Sequence, residues 1–332
     1  MIAKALATLA LLGAAGCAQK PPPVSAETIA AHVAEARQLA GTDLASLLGL
    51  CNPAPAIRPD QASIDKLLEV VTTQAAPLPG RVFDNLYYVG AAWVSAWAIR
   101  TSAGVILIDA LNNGDEAKRV IDDGMRKVGL DPATIRWVIV THAHGDHYGG
   151  LDWLVPRYRP GVVMSEADWR QAEGRLEFDS RHWGRPPRFD PSRDRRMGDG
   201  SKLVLGDTTV TLHLTPGHTE GTLSLVFDVG VGGRPHKAML WGGTAFNFGR
   251  DVPRLESYIA STRRMAEVAE KAKVDVLISN HPLFDDSLAK MESMRKGGLT
   301  AHPFVIGNAA VLRSLQVMNA CAQAQRDRFT LR

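Results

Sequence analysis

Three histidines and one aspartate crowd into the seven residues Thr141-His142-Ala143-His144-Gly145-Asp146-His147. Imidazole nitrogens and a carboxylate oxygen are the donors that a borderline-soft cation such as zinc takes. Two more histidines stand in related settings: His218 in Leu214-Thr215-Pro216-Gly217-His218-Thr219, and His281 in Ile278-Ser279-Asn280-His281-Pro282. A cation held by only three protein donors keeps open positions, and the chemistry it then offers is hydrolysis without a side-chain nucleophile. Ser287-Leu288-Ala289-Lys290 has the S-x-x-K form of a serine nucleophile. It lacks the partner S-D-N and K-T-G segments and is read as coincidence.

Each histidine cluster follows a segment with strand character. The apolar run Ile135 to Val140 precedes the first, the alternating run Thr209 to Leu214 the second, and Val274 to Ile278 the third. Loops at strand ends along one edge of a sheet are where such side chains converge. Upstream, Val105-Ile106-Leu107-Ile108-Asp109 is a further apolar strand ending in an acid, and Gly149-Gly150 follows the first cluster.

The pattern H-x-H-x-D-H, then G-H-T, then a late strand-end histidine resembles the metallo-β-lactamase superfamily, over roughly residues 80–290. The resemblance implies one α/β (α+β) domain, an αββα sandwich of two mixed sheets with outer helices and the metals at one edge. It implies two zinc ions per chain: His142, His144 and His218 would hold the first, and Asp146, His147 and His281 the second. A zinc-bound hydroxide would attack a carbonyl, and Asp146 would orient it and move its proton. Asp109 would hold the active-site loop rather than a metal.

Details within the superfamily narrow the reading. Many members, glyoxalase II and quorum-quenching lactonases among them, carry a bridging Asp in a strand-end G-D-T. The corresponding stretch is Leu240-Trp241-Gly242-Gly243-Thr244-Ala245-Phe246, with Gly243 where that Asp would be. Subclasses B1 and B2 place a Cys ligand in this region; here Thr244 follows the glycines. Asp, His and His with neither Cys nor bridging Asp is the subclass B3 pattern. The implied function is an exported dizinc hydrolase that opens β-lactam rings. The alternative is an exported dizinc hydrolase of lactones, esters or other cyclic amides. A third class, a non-catalytic metal-stabilised binding protein, has no need of two open sites.

Candidate walls of a substrate groove are Trp93, Tyr148 and Phe246, and Thr244 or Asn247 can hydrogen-bond a substrate carboxylate. His213 alternates away from its strand neighbours Leu212 and Leu214, and His182, His236 and His302 match no ligand position; all are expected to be structural or surface groups.

The 332 residues are 45% hydrophobic, enough for a large core. Net charge is only +3, and the one arginine-rich stretch, Arg181 to Arg196, is broken by proline and acidic residues. A loop is expected there, and no nucleic-acid partner. At the N-terminus Lys4 is followed by the apolar run Ala5 to Ala15, a signal core too short to span a bilayer. Ala14-Ala15-Gly16-Cys17 resembles a lipobox, which would make Cys17 a lipid tether to the outer membrane; cleavage after Ala18 is the alternative. Residues 1–18 are therefore read as an export signal, 19–50 as a proline-containing linker and helix, and 51–332 as the catalytic domain, periplasmic and monomeric. Cys51 and Cys321 remain, either as a disulfide joining the termini or as two buried thiols.

Overall fold

The computed structural model describes residues 24–331; the segment expected to be an export signal, and Cys17 within it, lie outside the described residues. Twelve strands form two sheets. The first has spatial order β1 (Gly80–Arg81), β2 (Leu86–Tyr88), β3 (Trp97–Thr101), β4 (Gly104–Ile108), β5 (Ile135–Ile139), β6 (Gly161–Met164) and β7 (Arg195–Arg196). Strands β1 to β4 pair antiparallel and β4 to β7 parallel. The second sheet runs β12 (Val276–Ser279), β11 (Arg234–Trp241), β10 (Leu223–Val231), β9 (Thr208–Leu214) and β8 (Lys202–Leu205). Only β11 and β12 pair parallel there. Both sheets are thus mixed, as expected.

Side-chain alternation explains the layers. Along β4, Ile106 and Ile108 enter the core between the sheets, while Val105 and Leu107 face the helices outside. Along β11, Ala238 and Leu240 enter the inter-sheet core, and Met239 and Trp241 pack on the outer helices of the other side. A strand apolar on both faces must be covered on both. The resulting order is helix, sheet, sheet, helix, the αββα sandwich.

Helix Ala26–Ala40, expected in the linker segment, packs with helices Val252–Ala272 and Asn308–Thr330 in one outer core. Cys51 and Cys321 form a disulfide that ties this layer together. The stretch Arg181 to Arg196 is irregular apart from β7. Helix Gln61–Val71 starts at Asp60, whose side chain accepts from the Ser63 amide at 2.8 Å. Ile64, Leu68 and Val71 are its buried face, spaced four and three residues apart. They form a small apolar cluster with Phe178 at the sandwich edge. Each buried aliphatic side chain there stabilises the docked helix by about 1.5–3 kcal/mol.

Candidate metal centre and substrate cavity

The candidate ligands lie where strands end. His142 to His147 follow β5, His218 follows β9, and His281 follows β12. The sheets are joined at this edge, because the Leu223 amide that opens β10 donates to Thr141 O at 2.8 Å. Asp109, just past β4, accepts from the Thr141 amide at 2.7 Å, the Thr141 hydroxyl at 3.0 Å and His147 Nδ1 at 2.8 Å. It therefore braces the loop and does not enter either candidate ligand group.

Two groups form. The donor atoms of His142, His144 and His218 lie within 4.8 Å of one another, as do those of Asp146, His147 and His281. His218 Nε2 is 3.1 Å from both His142 Nε2 and His144 Nδ1. The rings of His142 and His147, 4.1 Å apart, place the groups side by side.

The far nitrogen of each ring is already engaged. His142 Nδ1 donates to Gly242 O at 2.8 Å, His218 Nδ1 to Ala245 O at 2.7 Å, and His281 Nδ1 to Trp93 O at 2.9 Å. His144 Nε2 lies 3.2 Å from Glu177. A neutral imidazole that donates from one nitrogen presents a bare lone pair at the other. Three lone pairs therefore meet in the first group with no proton to share. In the second, buried His147 Nε2 has no hydrogen-bond partner, and Asp146 Oδ2 stands 3.4 Å away. Such a donor set, each ring oriented by an outer acceptor, fits a divalent cation in each group.

Charge follows burial and neighbours. Burial, then the adjacent histidines, holds His142 and His218 well below the ordinary histidine value. Burial and His147 lower His281 as well. Burial also acts against protonation of His147, but Asp146 and Asp109 outweigh it and push this ring up to about 10. Burial opposes ionisation of Asp146, yet His147 and His281 hold its carboxyl far below the carboxylate range.

Glycines admit the close approaches. A Cβ on Gly242 would lie 1.8 Å from Leu223 O, one on Gly243 2.6 Å from His218 Cβ, and one on Gly145 2.1 Å from Trp183. Gly243 thus occupies the contact with a ligand ring, with no side chain to bridge anything.

The groups open into a cavity of about 300 Å³. Trp93 lines it and meets His281 edge to face, with ring centroids 5.5 Å apart. Asn247 lines it too, with a buried and unpartnered Oδ1. Phe246 packs on Tyr258 and faces an adjoining cavity instead. Tyr148 and Thr244 are placed differently from the expectation that they face the substrate. Tyr148 is 1% exposed and sits in the helix-side core of the first sheet, because a helical turn that aims Asp146 and His147 into the second ligand group rotates the next side chain away. Thr244 is buried and absent from the cavity walls. His213, His182, His236 and His302 lie outside both ligand groups. Ser287 is buried with its hydroxyl on Asp285, at 2.6 Å.

Several neighbours carried no signal in the sequence. Glu177 bridges His144 to Arg254, whose Nη2 donates to it at 2.9 Å and whose Nε donates to Gly217 O at 2.8 Å. Arg254 and then His144 outweigh burial and keep the Glu177 carboxyl well below its usual range. Phe178 and Trp183, from the irregular stretch before β7, and Ile64, Leu67 and Leu68, from helix Gln61–Val71, complete the walls.

Known proteins share these features. Residues 92–231 match the metallo-β-lactamase superfamily. An acyl-coenzyme A thioesterase of Gallus gallus is 25% identical over 230 residues, 62% of this chain and 79% of that protein. A hydroxyacylglutathione hydrolase of Rhodopseudomonas palustris is 32% identical over 116 residues, 35% of this chain and 36% of that protein. Among solved structures, a subclass B3 metallo-β-lactamase of Bradyrhizobium japonicum superposes with a TM-score of 0.63 at 27% identity, over 74% of this chain and 93% of that one. The matched span is a metallo-β-lactamase superfamily domain that holds five of the six candidate ligands, and the fold brings His281 to them from the end of β12.

Proposed function

We propose that this superfamily hydrolase holds two zinc ions, one in each ligand group, and opens the ring amide of a β-lactam. The observation that carries this reading is the make-up of the second group: Asp146, His147 and His281, with no cysteine and with Gly243 packed against His218 where a bridging carboxylate would stand. The likeness to a subclass B3 enzyme supports it.

Zinc in these groups would supply Lewis acidity and a water of lowered pKa. The chain's own residues do the rest. The carbonyls of Gly242, Ala245 and Trp93 fix ring tautomers, so three histidines present lone pairs without rearrangement. Asp146 is ionised and reaches the cavity, so its carboxylate can accept a proton from water and return it to a leaving nitrogen. Asn247 offers a side-chain amide to the substrate, and Trp93, Phe178 and Trp183 keep bulk water from the reacting carbonyl.

A second reading is hydrolysis of a lactone, ester or thioester. The cavity walls favour it, because no lysine or arginine among the described residues lines the cavity to receive a β-lactam carboxylate. The similar thioesterase also supports it. The deciding experiment offers a carbapenem, a penicillin, an aliphatic lactone and a thioester to protein loaded with zinc and to protein stripped by chelator. Ring opening of the β-lactams that is lost on chelation and restored by zinc is expected. Turnover of the lactone or thioester alone would overturn the β-lactam reading and leave the hydrolase.

We further propose a periplasmic, monomeric enzyme exported by its N-terminal segment, either tethered through a lipidated Cys17 or cleaved after Ala18. The Cys51–Cys321 disulfide supports an oxidising compartment.

A further inference from the structure

The cavity beside the ligand groups does not end at them. A second cavity, of about 540 Å³, shares the walls Pro59, Ala245, Asn247, Leu283 and Phe284 with the first. Together they make one trough. It begins at Asp146 and His281, passes beneath helix Gln61–Val71, crosses Phe284, and continues along the segment from Ser46 to Ile57.

Among the described residues, neither cavity is lined by a lysine, an arginine or a glutamate, and Asp146 is the only carboxylate. Arg58, between the wall residues Ile57 and Pro59, turns to Glu177 at 3.9 Å and lines a separate polar cavity with Arg175 and Arg254. The trough is therefore built against a charged group along its length, since an unpaired ion moved there from water would lose its hydration without a partner.

The mouth is apolar as well. Ile57, Leu67 and Leu283 are 84%, 44% and 68% exposed, and all three line the trough. Scattered exposed aliphatic side chains need no explanation, but several gathered on one rim mark a surface that an apolar ligand covers. Helix Gln61–Val71 turns Ile64 and Leu68 inward and Leu67 to the rim, so one element supplies both the ceiling and the edge.

We propose that the acyl side of the substrate is an extended, uncharged aliphatic chain that lies in this trough, from the metal groups past Phe284 toward Ile57. The assignment rests on the hydrolase reading for the reacting bond but is independent of whether that bond is in a β-lactam, a lactone or a thioester. It adds no covalent step. Its source of affinity is burial of methylene groups, and its selectivity comes from the absence of a cation.

The test measures binding without turnover. N-butanoyl, N-hexanoyl and N-octanoyl glycinamide are neutral and differ only in chain length. They would be titrated into the full chain in chelator, reading fluorescence of the cavity tryptophans Trp93 and Trp183. Affinity should rise about threefold or more for each methylene added. An analogue of the octanoyl compound with a terminal carboxylate should bind at least about tenfold more weakly than its neutral parent. Ile57→Asp, at an exposed position that lines only the second cavity, should weaken the octanoyl compound about tenfold and leave the butanoyl compound unchanged. Affinity that does not change with chain length would overturn the proposal. So would binding of neutral phosphatidylcholine vesicles without binding of the monomeric amides, which would make the rim a membrane contact. Chain-length-dependent binding by a protein that hydrolyses nothing would sink the hydrolase reading and leave the trough standing.

Discussion

Glu177 lies 3.2 Å from Nε2 of His144 and holds Arg254 on its other side, so an ion pair between an irregular segment and helix Val252–Ala272 orients a ligand ring of the first metal group. Removing the carboxylate frees that ring to rotate. Glu177→Gln should weaken zinc binding about 10- to 100-fold, the usual cost of losing an outer partner of a ligand histidine. Competition with a chromophoric chelator reads this directly. An unchanged affinity would reduce the ion pair to a fold contact.

Gly243→Ala tests the contact beneath His218. The added methyl would stand 2.6 Å from the His218 Cβ, closer than packed atoms allow, and this loop is pinned by His218 Nδ1 on Ala245 O. Zinc stoichiometry by elemental analysis should fall toward one per chain while the far-ultraviolet circular dichroism stays the same. Two zinc ions retained at full affinity would show that the loop can yield.

Zinc itself should stabilise the fold. Without a cation, three lone pairs are pressed together in the first group; with one, each is satisfied. A ligand that binds only the folded state contributes about 4 kcal/mol at a thousandfold excess over its dissociation constant. Thermal unfolding with zinc against chelator would show this as a clear rise in Tm, and equal values would argue against both sites.

These three predictions rest on different grades of legibility. The six candidate ligands could be read from the sequence because one dense cluster at a strand end, followed by two single strand-end histidines, resembles a known family pattern. The sandwich came with that resemblance, and Gly243 was visible against it as a missing acid. Glu177, Arg254, Phe178 and Trp183 were not legible. Glu177 and Arg254 are 77 positions apart, and what makes them neighbours is the packing of a helix over an irregular segment. Helix Gln61–Val71 has an ordinary apolar face, and nothing in its spacing says that the face will roof a metal centre. Tyr148 is the converse case, a residue adjacent to the motif in sequence whose helical turn sends it to the core.

Asp168 offers a pH test. Burial pushes its carboxyl up to about 7, although Thr219 and the Ala143 amide donate to it. The folded value exceeds the unfolded one, so the folded state binds the proton more tightly. Its contribution is then present at acid pH and is lost as pH rises through about 7. In chelator, the Tm of the wild type should fall relative to Asp168→Asn across that interval. A difference constant with pH would mean that Asp168 is ionised throughout.

Breaking the disulfide should cost stability. Cys51→Ser with Cys321→Ser frees the N-terminal layer from the last helix, and loss of a native bridge typically costs about 2–5 kcal/mol. Urea unfolding of the two forms measures it. Equal midpoints would leave the bridge without a role in stability.

That bridge also fixes an order of events. Its two sulfurs are 270 positions apart, and all six candidate ligands lie between them. Every candidate ligand must be synthesised before the bond can close, and helix Gln61–Val71 begins ten positions after the first of its cysteines. A product that stops short of the last helix would carry all six candidate metal donors under a ceiling with one loose end. The covered site is thereby secured by a bond that closes only after every candidate ligand has been made.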